Sequence, residues 1–103
     1  MYIATTPTHI FTLPFDTSNC SKIQVTYTQG DMQLVKQYQD GILPDGMTLD
    51  EKDINIFLTQ EETLQFRKGS AIVRVRVKTA TDKVMASQKM GFQVYDVENK
   101  EVL

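Results

Sequence analysis

The sequence predicts an all-β domain: a two-sheet antiparallel β-sandwich, immunoglobulin-like, with about seven strands and one short helical turn. Apolar and polar residues alternate at every second position along most of the chain, which is typical of half-buried strands. Turn-forming residues separate these segments at short, even intervals. No segment of about twelve residues has helical periodicity, so a parallel sheet with crossover helices is excluded. A small closed barrel is the alternative arrangement.

The first half of the chain contains five predicted strands. They cover residues 8–15, 22–29, 32–39, 47–49 and 53–58. Pro7 and Pro14 bracket the first one, and since proline donates no ladder hydrogen bond, we expect this strand either to lie at a sheet edge or to kink at Pro14 and change partners. The second and third are expected to form a hairpin across Gly30. In the fifth, alternation predicts three inward side chains, those of Ile54, Ile56 and Leu58.

The second half begins with a predicted helical turn over residues 59–66. Thr59 and Glu62 have the spacing of a capping box, with Leu64 and Phe66 as apolar anchors. Strands at residues 71–78 and 84–95 complete the sandwich. The core face of the last strand is predicted to carry Ala86, Met90, Phe92 and Val94, with Gly91 marking a bulge. We expect one domain over residues 1–103, with residues 97–103 as a loose tail.

Charge and composition argue against two partner classes. The net charge is −2 and the isoelectric point about 5.3, whereas binding to nucleic acid or to an anionic membrane needs clustered cations. No apolar run approaches the length of a membrane span. The N-terminal residues have neither a basic region nor a long apolar stretch, so we expect synthesis in the cytoplasm without a signal peptide.

Few residues are suited to catalysis or to binding a metal or cofactor. The chain has one histidine and one cysteine, too few for a transition-metal centre, and no phosphate-binding glycine motif. We interpret His9 as a rim or core side chain and Cys20 as an incidental thiol in a turn. Acidic residues cluster in one stretch but lack the EF-hand spacing, and we interpret them as solvated turn residues: Asp40, Asp45, Asp50, Glu51 and Asp53. We therefore predict no catalytic, cofactor-binding or metal-binding residue.

A basic stripe is the one unusual surface feature. Arg74, Arg76 and Lys78 alternate with valines on the strand at residues 71–78, so the three cations share one face and span about 13 Å. Such a row is typical of a solvated outer face that discourages sheet aggregation. It is also suited to an acidic partner surface, and we name these three residues as candidate partner contacts.

Three segments carry a resemblance to known proteins. They are residues 6–16 (TPTHIFTLPFD), residues 58–66 (LTQEETLQF) and residues 73–77 (VRVRV). Together they resemble small proteins of prophages and phages of Gram-positive gut bacteria, encoded near tail and baseplate genes. The strand plan is similar to the N-terminal β-sandwich module of phage baseplate upper proteins. The likeness runs from Thr6 to about Val97 and departs from the pattern in residues 40–49.

The resemblance implies a structural or assembly component of a phage tail or baseplate, incorporated into a virion. Its partners would be other virion proteins or copies of itself, with no cofactor and no small-molecule substrate. Two other classes stay open. One is a recognition module for a host cell-surface glycan or protein, although the chain has no tryptophan to stack on a sugar. The other is a small enzyme, which would need a pocket with converging titratable groups.

Overall fold

The computed structural model of the protein describes residues 1–87 and 89–103, which form two antiparallel sheets packed against each other. Their eight strands are β1 (Thr8–Thr12), β2 (Cys20–Gln29), β3 (Met32–Gln39), β4 (Met47–Asp50), β5 (Asp53–Phe57), β6 (Gly69–Thr79), β7 (Val84–Ala86) and β8 (Met90–Val94). A 3₁₀ turn occupies Thr17–Asn19, and a single helical turn, α1, occupies Gln60–Thr63. The all-β prediction is confirmed.

The strand order is that of an immunoglobulin-like sandwich. One sheet has the order β1-β5-β4, and the other has β3-β2-β6, with β7 and β8 both pairing with β6. These correspond to strands B-E-D and C′-C-F-G of the immunoglobulin fold. The N-terminal residues add a parallel bridge between Tyr2 and Tyr95 at the end of β8. The predicted hairpin of β2 and β3 is present, and Gly30 takes a positive φ of 57° at its turn.

The core lies between β2 and β6 on one side and β5 on the other. In the β2–β6 ladder, paired residues place their side chains on the same inner face, as in the pairs Ile23–Val77, Val25–Val75 and Tyr27–Val73. Burial of one such side chain stabilises the fold by about 1.5–3 kcal/mol. The opposite sheet contributes the inward residues expected from alternation, all of them buried: Ile54, Ile56 and Leu58.

A buried ion pair joins α1 to β3 of the five-stranded sheet. Thr59 and Glu62 form the predicted capping box: the Glu62 amide donates to Thr59 Oγ1 over 3.1 Å, and the Thr59 amide donates to Glu62 Oε1 over 2.9 Å. Glu62 Oε2 lies 2.6 Å from Nζ of Lys36 on β3, whose residue is only 8% exposed. Burial opposes the charge of Glu62, but the bonds from Lys36 and Thr59 outweigh it and lower its pKa.

The last predicted strand is interrupted, and this corrects two expectations. Between the pairs Arg76–Ala86 and Val73–Met90, the chain advances three residues on β6 and four on the facing side. The extra residue reverses the face, so Ala86 lies on the outer side with Arg76 and not in the core. Gly91 pairs in register with Ile72, so the irregularity lies before β8 rather than at this glycine.

Ser87 accommodates the interruption. Its amide donates to the Val75 carbonyl over 2.8 Å, and its Oγ accepts from the Val75 amide over 3.0 Å. The side-chain oxygen thus satisfies a β6 amide at the point where the register shifts, which lets β7 and β8 both pair with β6.

Two smaller expectations are also corrected. β1 ends at Thr12 rather than continuing to residue 15, because Pro14 cannot extend the ladder. Cys20 is the first residue of β2 and is buried, so it is a core thiol rather than a turn residue. Residues 97–103 contain no helix or strand.

We predict that Lys36→Met lowers the free energy of unfolding by about 2–3 kcal/mol, because it leaves the Glu62 carboxylate desolvated and without its cation. Urea unfolding monitored by circular dichroism measures the loss. Lys100→Met is the matched control, since the Lys100–Asp96 pair is half-exposed and worth less than about 0.5 kcal/mol. Equal losses in the two variants would contradict a structural role for the buried pair.

Candidate functional site

The candidate site is the outer face of the five-stranded sheet. Arg74, Arg76 and Lys78 lie on this face of β6, while the intervening valines point into the core. The structure thus brings the three candidate partner contacts together on one surface. Arg76 and Lys78 are exposed, and Arg74 is half-buried.

Two further lysines enlarge the stripe into a basic face. Lys22 on β2 pairs directly across from Lys78, and Lys89 lines the same cleft as Arg74 and Arg76. We refer to Lys22, Arg74, Arg76, Lys78 and Lys89 as the basic face. The sequence indicated that the side chain of Lys22 points outward, because alternation places it on the polar side of its strand. Joining it to the stripe required the β2–β6 pairing, and Lys89 follows the interruption that alternation did not predict.

Carboxylates neutralise only one end of the basic face. Lys78 Nζ lies 3.6 Å from the exposed Asp82 carboxylate, and Asp40 lines a cleft with Lys22 and Lys78. Within residues 1–87 and 89–103, no carboxylate lies within ion-pair distance of Arg74, Arg76 or Lys89. The positive potential around the two arginines is therefore unopposed by a local ion pair.

Neutral polar side chains surround the cations. Gln24 lies across from Arg76 and donates to Gln37 Oε1 over 3.1 Å, while Thr26 lies across from Arg74. Two further clefts lie on this face. One has a volume of about 300 Å³, and its lining includes Arg74 and Arg76. The other has a volume of about 150 Å³ and lies between Lys22, Lys78 and Val84. A surface of guanidinium and amide groups is suited to binding oxyanions by hydrogen bonds and charge.

A second region of interest surrounds His9 at the seam between the sheets. His9 Nδ1 and Tyr27 Oη share a hydrogen bond of 2.6 Å. The Tyr27 ring also packs edge-on against Phe66 and Phe92, with ring centroids 6.1 and 6.0 Å apart. A cavity of about 370 Å³ adjoins this cluster on the side of Met90.

The His9–Tyr27 pair is built for packing rather than proton transfer at neutral pH. Burial lowers the pKa of His9, helped by the nearby N-terminal ammonium, and burial raises the pKa of Tyr27, helped by Glu62. Both groups are therefore held neutral. Tyr27 is 0% exposed, so its hydroxyl is not presented to a ligand.

The remaining candidate groups are dispersed. Within the described part of the chain, no three His, Cys, Asp or Glu side chains are grouped so as to hold a metal ion. Burial raises the pKa of the Cys20 thiol, which disfavours the reactive thiolate. Of the clustered acidic residues, Asp53 accepts a hydrogen bond from Thr12, and the other four are exposed: Asp40, Asp45, Asp50 and Glu51.

No protein-family model, curated protein or solved structure matches this chain. None of the helices among residues 1–87 and 89–103 has the length and apolar character needed to cross a membrane.

We predict that His9 makes the fold less stable in acid. Its pKa is lowered by folding, so the unfolded chain binds the proton first, and the free energy of unfolding falls as the pH drops below about 6.5. Urea unfolding at several pH values between 7 and 5 measures this dependence. His9→Gln, which keeps a hydrogen-bonding side chain, should flatten the curve in this window. An unchanged slope in the variant would contradict the assignment.

Proposed function

We propose that this protein is a non-enzymatic structural or assembly component of a phage or prophage tail or baseplate, acting through protein–protein contacts. The observation that carries the proposal is the basic face. It is formed by an ordered sheet, it presents two arginines without a carboxylate partner among the described residues, and arginine is enriched in protein interfaces.

The partner that this face suits is a protein with an acidic surface. Charge complementarity aligns two subunits and accelerates their encounter, and it disfavours partners with like charge. Nucleic acid is a poorer fit, because β2, β3 and β6 place no aromatic side chain on this face for base stacking and the chain carries a net charge of −2. The partners are other virion proteins or copies of the chain itself. The attribution to a virion rests on the resemblance of residues 6–16, 58–66 and 73–77.

The absence of catalysis is supported by where the titratable groups lie. His9 is paired with a buried tyrosine, Cys20 is in the core, and the clustered carboxylates are dispersed, four of them exposed and Asp53 hydrogen-bonded to Thr12. Catalytic groups need to converge on one cleft within hydrogen-bond reach of a substrate. The clefts of the basic face offer cations and amides instead, which suit binding.

A second candidate is recognition of a host cell-surface glycan. It is favoured by an exposed aromatic pair: Tyr2 and Tyr95 are 56% and 49% exposed, with ring centroids 5.2 Å apart. Sugars stack on such rings through their apolar C–H faces. Glycan-array binding that is lost in Tyr2→Ala and Tyr95→Ala, and kept when the basic face is neutralised, would favour this function over assembly.

We predict that replacing Arg74, Arg76 and Lys78 together by serine weakens binding to purified tail or baseplate subunits by about tenfold or more, because three interface cations are lost. Biolayer interferometry with each candidate subunit, or with the chain itself, measures the affinity. The control variant replaces Lys52, Lys68 and Lys100 by serine, which makes the same change in net charge away from the face. An equal loss of affinity in both variants would rule out the basic face as the docking surface.

The virion attribution has its own test. Particles purified from an induced lysogen that carries this gene should contain the protein in the tail or baseplate, detected by immunogold labelling. A knockout should yield particles with incomplete tails. If the protein is missing from particles and from assembly intermediates, and the knockout particles are normal, the proposal fails.

A further inference from the structure

We propose that the cleft of about 300 Å³ around Arg74 is a carboxylate-binding site, which receives an aspartate or glutamate side chain from an acidic segment of a partner protein. The cleft lies over the paired strands β2 and β6 on the basic face, and Gln33 of β3 and Lys89 complete its lining. This inference rests on the proposed function, since it names the chemical group through which the partner docks.

The first observation is an unsatisfied donor. Nε of Arg74 is shielded from solvent and has no hydrogen-bond acceptor among residues 1–87 and 89–103. A buried polar group without a partner costs about 1–3 kcal/mol, and more when the group is charged. The guanidinium therefore gains free energy by turning toward an oxyanion in the cleft, because the donor exchanges a buried, unbonded position for a charge-assisted hydrogen bond.

The second observation is the set of groups that line the cleft. Arg76 and Lys89 add two cations beside Arg74, and the side chains of Gln24, Gln33 and Thr28 add neutral donors. In the part of the chain that the structure describes, no Asp or Glu lines this cleft. A bound carboxylate would therefore meet no competing negative charge from these lining residues.

The shape of the donors favours a carboxylate. The Nε–H and an adjacent terminal N–H of arginine form a planar fork that matches the two oxygens of a carboxylate. The cleft volume is at the lower end of the range for ligand pockets, so it suits a side chain on a segment rather than a large free ligand. Ile72, 37% exposed, lines the same cleft and offers apolar contact to the methylene groups of that side chain.

Arginine side-chain NMR tests the site in the intact protein. The chain has three arginines, Arg67, Arg74 and Arg76, so the Nε–H signals can be assigned with single Arg→Lys variants. The probe is end-capped hexaglutamate at physiological salt, with end-capped hexaglutamine as the neutral control. We expect a saturable shift of the Arg74 signal with hexaglutamate only. An unmoved Arg74 signal, or an equal response to hexaglutamine, would overturn the proposal.

Charge-preserving variants separate the arginine fork from general attraction to a basic surface. Arg74→Lys keeps the charge but removes the planar fork, and we expect it to weaken hexaglutamate binding by about fivefold or more. Arg67→Lys is the matched control, since Arg67 is exposed, is not one of the residues that line the cleft, and bonds to Gln29 through its backbone amide; its affinity should stay within about twofold. Equal affinities for Arg74→Lys and the wild type would refute the assigned role of Arg74.

Inorganic phosphate distinguishes a carboxylate site from a general oxyanion site. We expect phosphate to displace hexaglutamate only at a large excess. Displacement at an equal concentration would overturn the carboxylate assignment.

The proposed function fails separately: if the triple serine variant binds tail and baseplate subunits normally while the Arg74 shift is present, the cleft binds carboxylates but is not the docking site. If docking is lost without an Arg74 shift, the basic face docks by other groups.

Discussion

The pairing of β2 with β6 is the constraint on which the rest of the structure depends. It aligns Ile23, Val25 and Tyr27 with three valines of β6 on one side of the sheet, and it aligns Lys22 and Gln24 with cations of β6 on the other. Because side chains alternate across a strand, a slip of one residue would expose the core and bury the cations. The apolar face therefore enforces the register, and the register assembles the basic face.

Two kinds of contact stabilise the core side of the molecule. Apolar side chains pack between the two sheets, and a polar contact adds to them, since Lys36 on β3 reaches Glu62 in α1, the turn that connects β5 to β6. Glu62 serves two purposes there: it completes the capping box with Thr59 and neutralises a buried ammonium. The helical turn that connects the two sheets is thereby tied to β3 of the five-stranded sheet.

The interruption between β7 and β8 links the fold to the candidate site. An added residue reverses the face of the strand, and Ser87 satisfies the β6 amide where the register shifts. Bulges re-aim side chains in this way at sheet edges. Here Ala86 is turned to the outer face beside Arg76, and Lys89 comes to line the cleft with Arg74. An irregularity of the backbone thus contributes to an electrostatic surface.

The sequence by itself determined the fold class, most strand positions, the capping box and the outward direction of Arg74, Arg76 and Lys78, because these follow from local alternation and local hydrogen bonds. Other features depend on contacts between segments far apart in the chain. Only the tertiary structure decided the pairing of Lys22 with Lys78, the ion pair of Lys36 with Glu62 and the burial of Cys20. The reversed face at Ala86 also needed it, since one inserted residue leaves the local pattern intact while changing which side it faces.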